Sequence, residues 1–244
     1  MASLKDVVFK LRDIEPAMEV AWNEAFHFIR TDCNIEISCG DVFNDAPAAD
    51  AIVSPTNSFG FMDGGIDLRY SEHFGWQLQE RLQNYLRKEY FGELPVGEAV
   101  IIETFEDDVP EIERDWMKNR ETNEGKPIHF LISAPTNRVP SDIHDTVNAY
   151  LAFRAVLLAV HRHNKNINKR KIKSVLCPGL GTSGGQMSFE RCARQMKIAY
   201  EVCVLKDCKA ILNPESLLEV HKHHLYMGGI DRFAANCSGG ASAK

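Results

Sequence analysis

The chain has 244 residues, 44% hydrophobic and 25% charged, which suits a globular protein long enough for a real core. Its net charge of −6, from 28 basic and 34 acidic residues, argues against general electrostatic attraction to nucleic acid or an anionic membrane. No apolar run approaches the roughly 18 residues a membrane-spanning helix needs, and seven cysteines without a C-x-x-C fit a reduced cytosolic or nuclear protein better than a disulfide framework.

The N-terminal segment carries no long apolar stretch and reads as a strand over residues 7–11 rather than a leader. A helix over 15–29 follows, with Met18, Trp22, Ala25, Phe26 and Ile29 on one face. Further strands are expected at 35–39, 51–54, 99–104, 128–133, 172–177 and 210–212. Each is a short apolar run without strict alternation, as in strands covered on both faces. Helices fill the gaps: 67–90, 141–163, 188–205 and a short one at 214–225. The helix over 188–205 is the clearest, with Phe189, Cys192, Ala193, Met196, Tyr200 and Cys203 in one stripe. Ser188 is its expected N-cap.

This alternation predicts one α/β domain over 1–230, with helices on both faces of a largely parallel sheet. Residues 106–126 are charged and weakly periodic, so an exposed insertion is expected there. Residues 231–244 read as a flexible tail.

In open α/β sheets, ligands sit beyond the carboxyl ends of the strands. Three expected strand ends carry polar or glycine-rich loops. The first is S38-C-G-D41-V, where Asp41 is either a turn residue or an acceptor for an exocyclic amine. The second is N57-S-F-G-F-M-D-G-G-I-D67. Its aspartate lies ten residues after its asparagine. Asp67 reads as a helix N-terminal acid or as a reactive carboxylate, and Asn57 as a turn former or as a ligand-holding amide. The third, P178-G-L-G-T-S-G-G-Q-M-S188, has four glycines in seven residues and runs into a helix. Such a loop suits a diphosphate, and equally a tight turn. It is neither a Walker loop nor an early G-x-G-x-x-G.

Taken together, these loops resemble the macrodomain family over roughly residues 35–205. G40-D-V42 is similar to the family's G-D-[IV], and V53-S-P-T-N57 to its V-N-A-A-N. D63-G-G-I-D67 is similar to G-G-G-V-D, and P178-G-L-G-T-S183 to P-x-x-G-T-G. The departures are Ser54, Asp63, Ser71 (with His73 nearby), Ser183 and Gly184. The resemblance implies a three-layer α/β/α sandwich around a mixed, largely parallel sheet, binding ADP-ribose.

By the same resemblance, Asp41 and the Val42 backbone are expected at adenine. Gly64, Gly65 and Ile66 are expected at the diphosphate and distal ribose. Gly179, Gly181, Thr182, Ser183, Gly184 and Gly185 form the second phosphate loop. Asn57 holds the distal ribose, and Asp67 matches the aspartate of MacroD-type hydrolases. Three activities follow as expectations: hydrolysis of mono-ADP-ribosyl esters, non-catalytic reading of ADP-ribosylated partners, and ADP-ribose-1-phosphate hydrolysis. No cofactor or metal is implied. The pairs and triples His161/His163 and His221/His223/His224 lack metal-ligand spacing and read as exposed helix residues.

Overall fold

A computed structural model describes residues 3–105 and 123–229. Six strands form one sheet: β1 (Val8–Asp13), β2 (Ile35–Cys39), β3 (Ala51–Ser54), β4 (Val100–Glu103), β5 (Phe130–Ser133) and β6 (Ser174–Cys177). Their order is β2-β1-β6-β3-β5-β4. All neighbours are parallel except β4, which pairs antiparallel with β5 at the edge. The carboxyl ends of β1, β2, β3, β5 and β6 therefore share one side of the sheet.

Alternate residues along each strand feed two separate cores. Phe9, Leu11, Val53, Ile132 and Val175 face helices α1 (Pro16–Phe26), α4 (Asn148–Lys165) and α5 (Phe189–Tyr200). Ile52, Leu131, Leu176 and Ile102 face α2 (Gly65–Phe74) and α3 (Gln77–Tyr90). The result is the expected α/β/α sandwich. Within the first core, Phe9 meets Phe153 and Tyr200 edge-on, with centroids 6.0 and 6.1 Å apart. Gln195 is fully buried on α5; its amide accepts from Tyr150 N (3.1 Å) and donates to Thr146 O (2.8 Å). No helix among the described residues is long and apolar enough to cross a membrane.

Several expectations need correction. The helix expected over 67–90 is two helices. Gly75 breaks it at φ 97°, ψ 154°, a backbone closed to L side chains, and a Cβ there would meet Gln77 Oε1 at 2.2 Å. The strand expected at 210–212 is helix α6 (Lys209–Leu212), with Ile211 N and Leu212 N bonded to Cys208 O. A three-residue apolar run carries no period that separates the two states. The helix expected over 188–205 ends as a π-helical turn, Glu201–Leu205. Helix α7 (Leu217–Met227) buries His223, expected to be exposed, and puts its Nε2 3.5 Å from Cys208 Sγ. Of the stretch expected as an insertion, residues 106–122 lie outside the described residues, as does the expected tail 231–244. Asn123, at the end of that stretch, is buried rather than exposed and donates to Val42 O at 3.1 Å.

Helix α3 ends on Phe91 in the left-handed region (φ 54°, ψ 30°), and Gly92 N closes the turn onto Leu86 O at 3.0 Å. The ring is 99% exposed, so it offsets none of the steric cost of that conformation. Phe91→Gly is expected to stabilise the fold by about 1 kcal/mol. Urea denaturation checks this: a lower midpoint in the variant would mean that the ring holds contacts.

Candidate functional site

Two adjacent residues at the end of β1 organise the loops. Arg12, buried, donates from Nε to Asp41 O (2.7 Å), from Nη1 to Ser38 Oγ (3.0 Å) and from Nη2 to Asp45 O (3.1 Å). This fixes the loop after β2. Asp41 then folds its own loop: Oδ1 accepts from Phe43 N and Asn44 N, both at 2.8 Å. Asp13 works on the other side. Its Oδ1 accepts from Glu15 N (3.1 Å) and its Oδ2 from Gly179 N (2.9 Å), which binds the late glycine loop to β1. Val42 is buried, with its carbonyl taken by Asn123.

The loop after β3 is held from several directions. Ser71 Oγ donates to Met62 O (2.7 Å), and Gln79 Oε1 accepts from Met62 N (2.6 Å). Asn57 closes on its own loop. Nδ2 donates to Phe61 O (2.9 Å), while Oδ1 accepts from Phe59 N (3.1 Å) and Phe61 N (3.3 Å). Gly64 and Gly65 are exposed, and a Cβ at either would meet nothing within 4 Å. Half-buried Ile66 follows, then Asp67 in the first turn of α2. Phe43 stacks flat on His73, centroids 3.7 Å apart, so the Asp41 loop and α2 are in direct contact.

Asp67 is 7% exposed and accepts from Ser54 Oγ at 2.5 Å. Burial pushes its carboxyl up to about 7, against the opposing pull of the Ser54 bond. At neutral pH the group is divided between its two protonation states.

The late glycine loop has two kinds of glycine. A Cβ at Gly179 would meet Asp13 Oδ2 at 2.8 Å, one at Gly181 would meet Ile143 Cδ1 at 2.7 Å, and one at Gly185 would meet Gly181 O at 2.6 Å. These three are small because the loop packs tightly. Gly184 alone of the four borders open space, beside exposed Ser183 and half-buried Thr182. Ser188 caps α5 as expected, accepting from Arg191 N at 3.3 Å.

The structure thus brings the loops carrying Asp41, Asp67 and Gly184 to one edge of the sheet. It turns Asn57's amide oxygen and one of its N–H groups into the Asn57 loop itself. Sequence reasoning missed Arg12, Asp13, Ser54 as the partner of Asp67, and Asn137. The signals were there: two charged residues ending an apolar strand, and A134-P-T-N137 repeating S54-P-T-N57. A cavity of about 510 Å³ lies behind the Asp41 loop, lined by Lys10, Arg12, Glu36, Ser38, Asp45 and Asn123 among others. It includes neither Asn57, Asp67 nor the glycines, and its charged lining is mixed.

Asp67 makes stability depend on pH. Its native proton affinity lies above that of an unfolded aspartate, so its contribution is complete below about pH 4. That contribution is lost as pH rises through about 7, on the order of 4 kcal/mol in all. Asp67→Asn keeps an acceptor for Ser54 and removes the titration. It is expected to be more stable than wild type at pH 8 and to flatten the pH 5–8 dependence, measured by urea denaturation.

In sequence, a macro-like domain family model matches residues 10–215. No curated protein matches the chain. Similar solved structures include the macrodomain of Mycobacterium tuberculosis DarG, at 18% identity and a TM-score of 0.48, covering 68% of this chain and 90% of that one. The Oceanobacillus iheyensis macrodomain with ADP is 18% identical, covering 62% and 68%, with a TM-score of 0.44. Thermosipho africanus DarTG in complex with ADP-ribose is 15% identical, covering 63% and 35%, with a TM-score of 0.44. The family match runs from within β1 past α6, through every loop described above, and the chain belongs to the macro-like domain family.

Proposed function

We propose that the chain binds ADP-ribose across the carboxyl edge of its sheet and hydrolyses mono-ADP-ribosyl ester bonds. Asp41 accepts from the adenine amine, the backbone around Gly64–Gly65 and Ser183–Gly184 takes the diphosphate, and Asp67 lies at the distal sugar. The observation that carries this reading is the pairing of open backbone with a near-neutral carboxyl. Gly64 and Gly65 border free space, and two residues later Asp67 holds a proton with an affinity of about 7. A carboxyl tuned to that range is matched to general acid–base work at neutral pH.

In the reaction, water attacks the anomeric carbon of the distal ribose. The bond from that carbon to the ester oxygen breaks, and the protein carboxylate leaves. Ionised Asp67 takes the water's proton. The diphosphate contacts supply position rather than chemistry.

One observation favours a second reading, a non-catalytic ADP-ribose reader. Asn57's amide oxygen and one of its two N–H groups are engaged within its own loop, and Asp67 is largely buried. Both residues then shape the loop that grips the ligand.

Isothermal titration with ADP-ribose, run beside hydrolysis of aspartyl- and glutamyl-ADP-ribose and of ADP-ribose-1-phosphate, separates these readings. Binding with ester turnover is expected, with turnover rising with pH through about 7 and level above it. Asp67→Asn is expected to retain binding and lose turnover about a hundredfold or more. Binding without turnover of any substrate would establish the reader, and turnover of the phosphate alone the phosphatase. No binding at millimolar ligand would remove all three. Gly64 has extended backbone (φ −147°) and open surroundings, so Gly64→Val is expected to fold normally and to weaken ADP-ribose binding at least tenfold. Unchanged affinity would take this turn out of the site.

A further inference from the structure

An ADP-ribose site needs a polar side chain to orient the distal sugar, and the sequence points to Asn57 for that role. In the fold, Asn57's Oδ1 accepts from both Phe59 N and Phe61 N, and one of its two Nδ2 hydrogens goes to Phe61 O, so the amide is turned into its own loop. The neighbouring strand end repeats its tripeptide as Pro135-Thr136-Asn137. Asn137 and Asn57 form a parallel backbone bridge, so their backbones run about 5 Å apart and their side chains leave the same side of the sheet.

The backbone around Asn137 is fixed. Ala134 N donates to Ser54 O (2.9 Å) and Ser58 N to Arg138 O (3.1 Å). Thr136 Oγ1 donates to Pro55 O (3.2 Å), and Asn148 Nδ2 to Thr136 O (2.7 Å). Arg138 grips both carboxylate oxygens of Glu93, at 2.7 and 2.9 Å, and its guanidinium lies 5.0 Å over the Phe59 ring. Asn137 itself is half-buried, and its amide makes no hydrogen bond among the described residues. A half-buried amide that none of the described groups engages can pair with a ligand group in both senses, and the fixed backbone leaves only its side-chain rotamer to be ordered on binding.

We propose that Asn137, in place of Asn57, is the amide that orients the distal ribose, with Nδ2 donating to one sugar hydroxyl and Oδ1 accepting from its neighbour. This rests on the ADP-ribose reading above. Asn57 instead builds the loop on which the sugar lies.

Titration of wild type, Asn137→Ala and Asn57→Ala with ADP-ribose and with ADP, which lacks the distal sugar, tests the assignment. Thermal melts of each protein accompany the titrations. Asn137→Ala is expected to keep its melting temperature and its ADP affinity, and to weaken ADP-ribose about tenfold. Asn57→Ala is expected to melt lower. Three results would overturn the assignment: wild-type ADP-ribose affinity in Asn137→Ala, equal weakening of ADP and ADP-ribose in that variant, or loss of ADP-ribose affinity in an Asn57→Ala that melts normally. Wild type that binds no ADP-ribose would remove the proposed function, and this role with it.

Discussion

Two side chains of opposite charge, side by side at the end of β1, hold the loops at the carboxyl edge of the sheet together. Their directions follow from strand geometry, since consecutive residues face opposite sides of the sheet. Arg12 reaches the loop after β2, and Asp13 reaches the loop after β6 and the start of α1. Arg12 is buried yet meets only carbonyl and hydroxyl oxygens in these contacts. Removing it would leave two loop carbonyls and a serine without their donor, a larger loss than that of a surface charge. Because β1 lies between β2 and β6, one strand sets the spacing of two loops that the sequence places far apart.

A second constraint acts on the β3 side. The carboxyl of Asp67 sits where water is scarce, accepting a hydrogen bond from the Ser54 hydroxyl. Phe43 stacks on His73 of the same helix, so the Asp41 loop and the Asp67 helix share an apolar joint. Neither loop can shift far without disturbing the other. The edge is one connected surface rather than a row of independent loops.

The strands were legible because each is a short apolar run covered on both faces: β2, β3, β4, β5 and β6 all lie within their expected stretches, and β1 runs two residues past its own, through Arg12 and Asp13. The clearest failure, at residues 210–212, came from a run too short to carry any period. The break at Gly75 was hidden because the apolar stripe resumes in α3 after a two-residue interruption. At the site, the residue types were legible and their duties were not. Four glycines looked like one phosphate cradle, yet Gly179, Gly181 and Gly185 answer to neighbours the sequence cannot place, namely Asp13, Ile143 and the loop's own carbonyl. Asn57 was noticed because a familiar pattern surrounds it. Asn137 went unremarked because the role proposed for it comes from lying beside Asn57, a relation that exists only once β3 and β5 pair.

Gln195 bears on how the chain ages. Its amide works in both senses at once, offering an oxygen to Tyr150 N and a hydrogen to Thr146 O. Deamidation to glutamate would keep the first bond and set a second oxygen against the Thr146 carbonyl, in a place with no solvent to soften the repulsion. Thr146 lies three residues beyond Ile143, whose side chain fills the space beside Gly181 and Gly185. A negative charge introduced deep in α5 would therefore be felt at the glycine loop.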